Sequence, residues 1–217
     1  MTKREVAGKI DHTLLNPKAT AKEIEALCQE AKEAGFATVC VQPSRVKLAS
    51  QLLKGSGVGV TTVVGFPHGA TSTEAKAFEA AQAIRDGADE IDMVINLGAL
   101  KDGDTETVRS DIRAVREASR GHILKVILET SELSEEEIFT ASRLSDEAGS
   151  DFVKTSTGYA GGGATVEAVE MMKRAFSKDI KASGGIRTLS DAKKMLDAGA
   201  TRLGASAGMA ILKEIEE

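Results

Sequence analysis

Short apolar and β-branched runs alternate along this chain with longer stretches whose apolar residues recur at helical spacing. The runs lie near residues 8–13, 37–41, 58–64, 89–95, 123–129, 151–154, 179–182 and 201–204. Each run reads as a strand, and the stretches between them read as helices. Several helices open on a Ser or Thr three residues ahead of an acid: Thr20/Glu23, Thr71/Glu74, Ser134/Glu137 and Thr188/Asp191. Such a hydroxyl caps the first backbone N–H groups while the acid reaches back to the cap.

Eight strand–helix units in 217 residues leave about 27 residues for each. This predicts an α/β protein, one (β/α)8 TIM barrel domain over residues 1–217, compact for that fold. The rival architecture is a doubly wound open sheet. No Gly-x-Gly-x-x-Gly follows the first strand, which weakens that rival.

An internal repeat favours the barrel. Glu33-Ala34-Gly35, Asp86-Gly87-Ala88, Glu147-Ala148-Gly149 and Asp197-Ala198-Gly199 each end a helix ahead of a strand. Glycine there supplies a left-handed cap. Five residues beyond each glycine stand Cys40, Asp92, Lys154 and Gly204, on strands two, four, six and eight. Alternate strands of a barrel feed one layer of side chains, so these four are expected to face one another near the C-terminal mouth. A helix-to-strand loop of fixed length, recurring for packing alone, gives the same spacing without a shared layer.

Two lysines carry the candidate chemistry. Phe152-Val153-Lys154-Thr155-Ser156-Thr157-Gly158 sets an amine at the end of an apolar run, where hydroxyl residues and a glycine turn the chain. Ile180-Lys181-Ala182-Ser183-Gly184-Gly185 repeats the design one strand later. Neighbouring strands are about 4.8 Å apart. Two ammonium groups about 5.5 Å apart repel by about 3 kcal/mol at an effective dielectric near 20, worth about two pKa units. Desolvation pushes the same way. An amine so neutralised is a nucleophile suited to Schiff-base chemistry. Asp92, on the same expected layer, either holds a lysine charged or moves protons to and from a covalent intermediate. The plainer alternative is that both lysines are solvated or paired with acids.

Glycine loops follow the last two strands: Ser183-Gly184-Gly185-Ile186 and Leu203-Gly204-Ala205-Ser206-Ala207-Gly208. Barrels bind phosphate with the loops after strands seven and eight, and glycines let backbone N–H groups approach an anion. Gly158 after strand six adds to that cradle, and Ser206 offers a hydroxyl and an N–H. Arg187 lies nearby in sequence. Tight turns account for the same glycines without a ligand. Among the other strand-end residues, Asp11 reads as a mouth hydrogen-bonding group or a cap, and His68 as a base or a turn residue. Cys40 reads as buried or as a thiol facing substrate. Glu129 and Asn96 carry weaker signals.

Composition narrows the partners. Net charge is -5 and the pI about 5.4, which argues against nucleic acid, whose phosphates need a basic face. A small anionic substrate remains compatible. Two cysteines, Cys28 and Cys40, make no disulfide scaffold and point to a reducing compartment. The polar start Met1-Thr2-Lys3-Arg4-Glu5 lacks the apolar core of a signal peptide, and no run is long enough to span a membrane. The expectation is a cytoplasmic protein. The three histidines lie far apart, with no metal-ligand spacing, so neither metal nor cofactor is expected.

Taken together the chain resembles the deoxyribose-phosphate aldolases, a class I aldolase family. The resemblance rests on Asp11-His12-Thr13-Leu14, Val39-Cys40-Val41, Gly65-Phe66-Pro67-His68-Gly69, Glu90-Ile91-Asp92-Met93-Val94, the two lysine motifs and Gly204-Ala205-Ser206. It implies reversible cleavage of 2-deoxy-D-ribose 5-phosphate to D-glyceraldehyde 3-phosphate and acetaldehyde. It assigns the Schiff base to Lys154, pKa tuning and proton shuttling to Lys181, and proton exchange, through water, to Asp92. It sets Asp11, Cys40, Thr157 and Gly158 at the substrate, with Gly184, Gly185, Gly204 and Ser206 around its phosphate. It also implies a homodimer or higher homo-oligomer. One departure stands out. Some bacterial members end in a tyrosine whose tail reaches the site, whereas this chain ends Lys213-Glu214-Ile215-Glu216-Glu217 and its one tyrosine is Tyr159. Either water with Asp92 and Lys181 then suffices for proton transfer, or turnover is slower. Two other readings stay open: another Schiff-base phosphosugar aldolase, and a non-catalytic phosphosugar-binding barrel.

Overall fold

The computed structural model describes residues 1–215; Glu216 and Glu217, part of the tail that lacks a tyrosine, lie outside the described residues. Eight parallel strands close into a barrel in sequence order. They are β1 (Ile10–Leu14), β2 (Thr38–Val41), β3 (Gly59–Val64), β4 (Glu90–Val94), β5 (Ile123–Ile127), β6 (Phe152–Lys154), β7 (Asp179–Ser183) and β8 (Arg202–Ala205). The helices are α1 (Lys3–Ala7), α2 (Ala21–Ala34), α3 (Val46–Leu53), α4 (Thr73–Arg85), α5 (Leu97–Lys101), α6 (Thr105–Ala118), α7 (Glu135–Glu147), α8 (Val166–Ala175), α9 (Leu189–Ala198) and α10 (Gly208–Lys213). The (β/α)8 TIM barrel expected from the alternation is thus the fold. Among the described residues no helix is long and apolar enough to cross a membrane.

Local signals explain most boundaries. Capping boxes at Thr20/Glu23, Ser134/Glu137 and Thr188/Asp191 start α2, α7 and α9. The Thr71/Glu74 expectation needs correction: Ser72 is the cap of α4 and accepts from the backbone N–H of Ala75. The serine next along offers the same hydroxyl to the first turn, and the chain enters the helix one residue later. A further box, Thr2/Glu5, starts the short helix α1, and α5 is inserted between β4 and α6, both outside the simple alternation. Gly35, Gly87, Gly149 and Gly199 of the repeat all take positive φ, between 69° and 116°, the left-handed turn that sends each helix back to a strand.

Helices sheathe the outside, so most outward strand positions are apolar: Val39, Val41, Val60, Val64, Ile91, Met93, Leu124 and Val126 all belong to one buried core. The alternate positions face the barrel axis. There the register places Asp92 beside Lys125, Lys154 beside Lys181, and Gly204 beside Asp11. Ion pairs between distant strands, such as Lys125–Asp11 and Lys181–Asp92, can only cross the interior. The interior therefore stacks in layers of four from alternate strands. Thr38, Glu90, Phe152 and Arg202 lie lowest; Asp11, Thr61, Lys125 and Lys181 come next; Cys40, Asp92, Lys154 and Gly204 form the layer toward the mouth. The last of these is the set picked out by the five-residue offset.

Candidate active site

Strand register decides which charges meet. β4 reads Glu90-Ile91-Asp92-Met93-Val94, so its two acids point inward while Ile91 and Met93 face the helices. β5, β6, β7 and β8 turn Lys125, Lys154, Lys181 and Arg202 toward them. Asp92 is the hub: its Oδ2 accepts from Lys154 Nζ and Lys181 Nζ, each at 2.8 Å, and its Oδ1 from Lys125 Nζ at 2.8 Å. Asp11 pairs with Lys181 and, at 2.6 Å, with Arg202. Glu90 receives Lys125 at 2.5 Å and Arg202 at 3.0 Å. Four cations thus face three carboxylates (Lys125, Lys154, Lys181 and Arg202 against Asp11, Glu90 and Asp92), leaving one positive charge in excess.

Burial and this imbalance divide the lysines. Burial first, opposed by Asp92 and then reinforced by the Lys181 ammonium, leaves the Lys154 amine below the ordinary lysine range. The sequence expectation weighted the Lys181 repulsion as the main cause; the larger one is loss of water around a residue only 3% exposed. For Lys181 burial also favours the neutral amine, but Asp11 and Asp92 together outweigh it and hold the ammonium above the usual range. Asp92 resists the burial that favours its neutral form because Lys125, Lys154 and Lys181 surround it, and it lies well below the carboxylate range. Cys40 is fully buried, and burial pushes its thiol up.

Above this network opens a cavity of about 630 Å³ at the C-terminal end of the strands. Lys154 lines it, together with Thr157, Gly158, Gly184, Gly185, Gly204 and Ser206. The expected phosphate-side glycines are thus gathered at one cavity, and Arg187 borders it too. Gly184 and Gly185 take φ of 88° and 82°, and a side chain on Gly163 would strike the Gly184 carbonyl oxygen at 2.5 Å; this turn is built without side chains on both edges. Asp92 and Lys181 do not line the cavity; they lie directly beneath it, in contact with Lys154. Asp11 and Cys40, expected beside the substrate, do not line it either. Asp11 is held in the ionic layer below, and Cys40 packs with Leu15 and Val63. His68 is exposed and outside the cavity, and Asn96 caps α5 through Ala99 N–H at 3.1 Å.

Sequence reasoning missed Glu90, Lys125 and Arg202. Their signal was present: a charge alternating with apolar residues in a strand flanked by helices on its outer face must point to the barrel axis. Glu129, noted only weakly, is buried and accepts from Thr157 N–H at 3.1 Å and from the Thr157 hydroxyl, which anchors the cavity wall after β6.

The sequence pattern of the DeoC/LacD family of aldolases matches residues 6–215. Deoxyribose-phosphate aldolase 1 of Bacillus licheniformis is 59% identical over 216 residues, covering 98% of this chain and 96% of the relative. Deoxyribose-phosphate aldolase of Staphylococcus carnosus is 56% identical, covering 98% and 97%. The solved structure of the tetrameric deoxyribose phosphate aldolase from Aeropyrum pernix superposes with a TM-score of 0.92 at 32% identity, over 98% of this chain and 91% of that one. Matched from its first strand to its last, and carrying the paired lysines on β6 and β7, this chain belongs to the DeoC/LacD aldolase family.

Proposed function

We infer that this chain is a class I aldolase, a carbon–carbon lyase that reversibly cleaves 2-deoxy-D-ribose 5-phosphate to D-glyceraldehyde 3-phosphate and acetaldehyde. One observation carries the reading for the residues themselves. Among the described residues, Lys154 is the member of the interior charge network that also lines the cavity. A nucleophile must reach substrate; the groups that tune it need only reach the nucleophile.

Lys154 acts as the Schiff-base amine. Its neutral nitrogen adds to the C1 aldehyde of the open-chain sugar, and loss of water from the carbinolamine gives an iminium ion. Removal of the C3 hydroxyl proton then breaks the C2–C3 bond, and its electron pair passes into the iminium to leave an enamine. D-glyceraldehyde 3-phosphate departs, C2 takes a proton, and hydrolysis returns acetaldehyde and the free amine. Asp92 exchanges protons through water. While Lys154 is protonated three ammonium groups depress its basicity; once the Lys154 nitrogen is a neutral amine, carbinolamine or enamine, one of those cations is gone and the carboxylate is a better base. Lys181 serves as the fixed cation: while it stays charged, loss of the Lys154 proton brings the network to three cations against three carboxylates. Gly158, Gly184, Gly185, Gly204 and Ser206 hold the phosphate, with Thr157 at the wall. The chain works as a homo-oligomer in the cytoplasm, a reading supported by its tetrameric relative, its phosphosugar substrate and its two free cysteines.

Incubation with 2-deoxyribose 5-phosphate tests this directly. Acetaldehyde and D-glyceraldehyde 3-phosphate should form in equal amounts, and their absence under conditions where the protein is folded would refute the reading.

A further inference from the structure

Tyr159 stands between two cavities. One is the Lys154 cavity. The other, about 510 Å³, lies on the β1–β3 side of the mouth, and Leu14, Asn16 and Tyr159 border both. The Tyr159 hydroxyl donates to the Leu15 carbonyl at 2.9 Å, and its ring meets Phe66 edge-on, with centroids 5.2 Å apart and planes at 85°. A residue of the β6–α8 loop is thereby tied to the loop after β1, and the aromatic pair makes the partition.

The partition is held from its own side as well. Thr157 Oγ1 accepts from Tyr159 N–H at 3.0 Å, and Thr157 in turn donates to the buried carboxylate of Glu129. Glu129 sits at φ 57°, a left-handed conformation that non-glycine residues avoid. The fold thus maintains an uncommon backbone geometry under the residue that fixes Thr157 and, through it, Tyr159.

The two compartments differ in chemistry. Beyond Tyr159, Gln42 donates to the Leu15 carbonyl at 2.8 Å and Arg45 to the Ala19 carbonyl at 2.7 Å. Asn16, Gln42, Ser44 and Arg45 also border this compartment, but with Gln42 and Arg45 tied to the backbone, Leu14, Pro17, Phe66 and Pro67 make the greater part of its lining apolar. Gly184 and Gly185 after β7 and Gly204 of β8 border the Lys154 cavity and not this one.

We propose that Tyr159 is a specificity-determining residue: its ring closes the Lys154 cavity against this apolar compartment and so excludes aldehydes that carry a long apolar or aromatic tail in place of a phosphate. The proposal rests on the aldolase reading. Its test is the condensation of acetaldehyde with 3-phenylpropanal and, separately, with D-glyceraldehyde 3-phosphate. In Tyr159→Ala the ratio of kcat/KM for 3-phenylpropanal over that for the phosphorylated acceptor should rise by about tenfold or more, the scale set by a few methylenes of apolar room. Tyr159→Phe, which loses only the bond to Leu15, should give a smaller rise, and the bulkier Tyr159→Trp a fall. An unchanged or lower ratio in Tyr159→Ala, with Lys154 still trapped by acetaldehyde and borohydride, overturns the proposal. If Tyr159→Ala does not fold, Phe66→Ala removes the other half of the partition and is judged by the same ratio. Failure of the unmodified protein to join acetaldehyde to D-glyceraldehyde 3-phosphate would instead defeat the aldolase reading, so the two failures are distinct.

Discussion

Lys154 and Lys181 donate to the same oxygen of Asp92, each at 2.8 Å. Sharing one acceptor forces the two ammonium groups together, and only Lys181 has a second carboxylate, Asp11, to keep it charged. The proton is therefore lost more readily from Lys154, the amine that faces the cavity.

Lys181→Met removes that competitor. Asp92 then serves Lys154 more fully, and the Lys154 pKa rises. The neutral amine accumulates as pH rises through this pKa, so the acid limb of the kcat/KM profile should move to higher pH by the same amount. Activity at neutral pH should fall about tenfold or more. Lys181→Arg should restore part of it. A pH–rate profile that stays in place contradicts the role given to Lys181.

Asp92→Asn strips one acid from a group of four cations. Removing one partner of a buried ion pair costs about 3–5 kcal/mol, and losing a positioned proton-transfer group costs about 100-fold or more in kcat. Urea denaturation and steady-state kinetics should show both losses. Near-normal kcat would remove Asp92 from the chemistry.

Lys125 touches Asp92 and Glu90 yet does not line the cavity. Lys125→Met frees Asp92 Oδ1 and tips the network to three cations against three carboxylates. The excess charge that lowers Lys154 is gone, so kcat should fall about tenfold while KM changes little. A change confined to KM would show that Lys125 acts on binding instead.

Gly163→Ala drives a methyl group to 2.5 Å from the Gly184 carbonyl oxygen, and that turn must move. KM for 2-deoxyribose 5-phosphate should rise about tenfold, the cost of a misplaced group that positions substrate, whereas unphosphorylated 2-deoxyribose should be affected far less. Equal effects on both sugars would separate this turn from phosphate binding.

Acid should loosen the fold through the same interior. Asp11 and Asp92 are held below their ordinary values because, although burial opposes it, Lys181 and Lys125 face the one and Lys125, Lys154 and Lys181 the other. Their contribution to stability is complete above the unfolded carboxylate pKa of about 3.9. It is lost as pH falls from there through their depressed native values. Urea midpoints should drop steeply below about pH 4, and Asp11→Asn should be less stable at neutral pH and flatter in acid. A midpoint independent of pH in that range would contradict the network's charge state.

The upper part of the site was legible in the sequence because local rules reach it. Helix-end glycines fix where each strand begins, so a constant five-residue offset carries Cys40, Asp92, Lys154 and Gly204 to one layer. The lower layers were harder to read. Lys125 in Ile123-Leu124-Lys125-Val126-Ile127 and Glu90 at the start of β4 look like surface charges until the barrel closes, since their partners Asp11 and Arg202 come from the opposite side of the ring. Asp11 reads as a mouth group or a cap for the same reason: strand-end position alone does not tell depth in a tilted, staggered barrel. The place of Tyr159 in the fold is not legible locally, because its partners, Leu15 and Phe66, lie far away in sequence.

Borohydride trapping tests the central claim, that Lys154 is the amine made nucleophilic by this network. With acetaldehyde and borohydride, peptide mapping by mass spectrometry should find a reduced ethyl adduct on Lys154 and none on Lys181 or Lys125, and Lys154→Arg should abolish both adduct and cleavage. An adduct on Lys181, or full cleavage activity with no adduct on Lys154, would contradict the account.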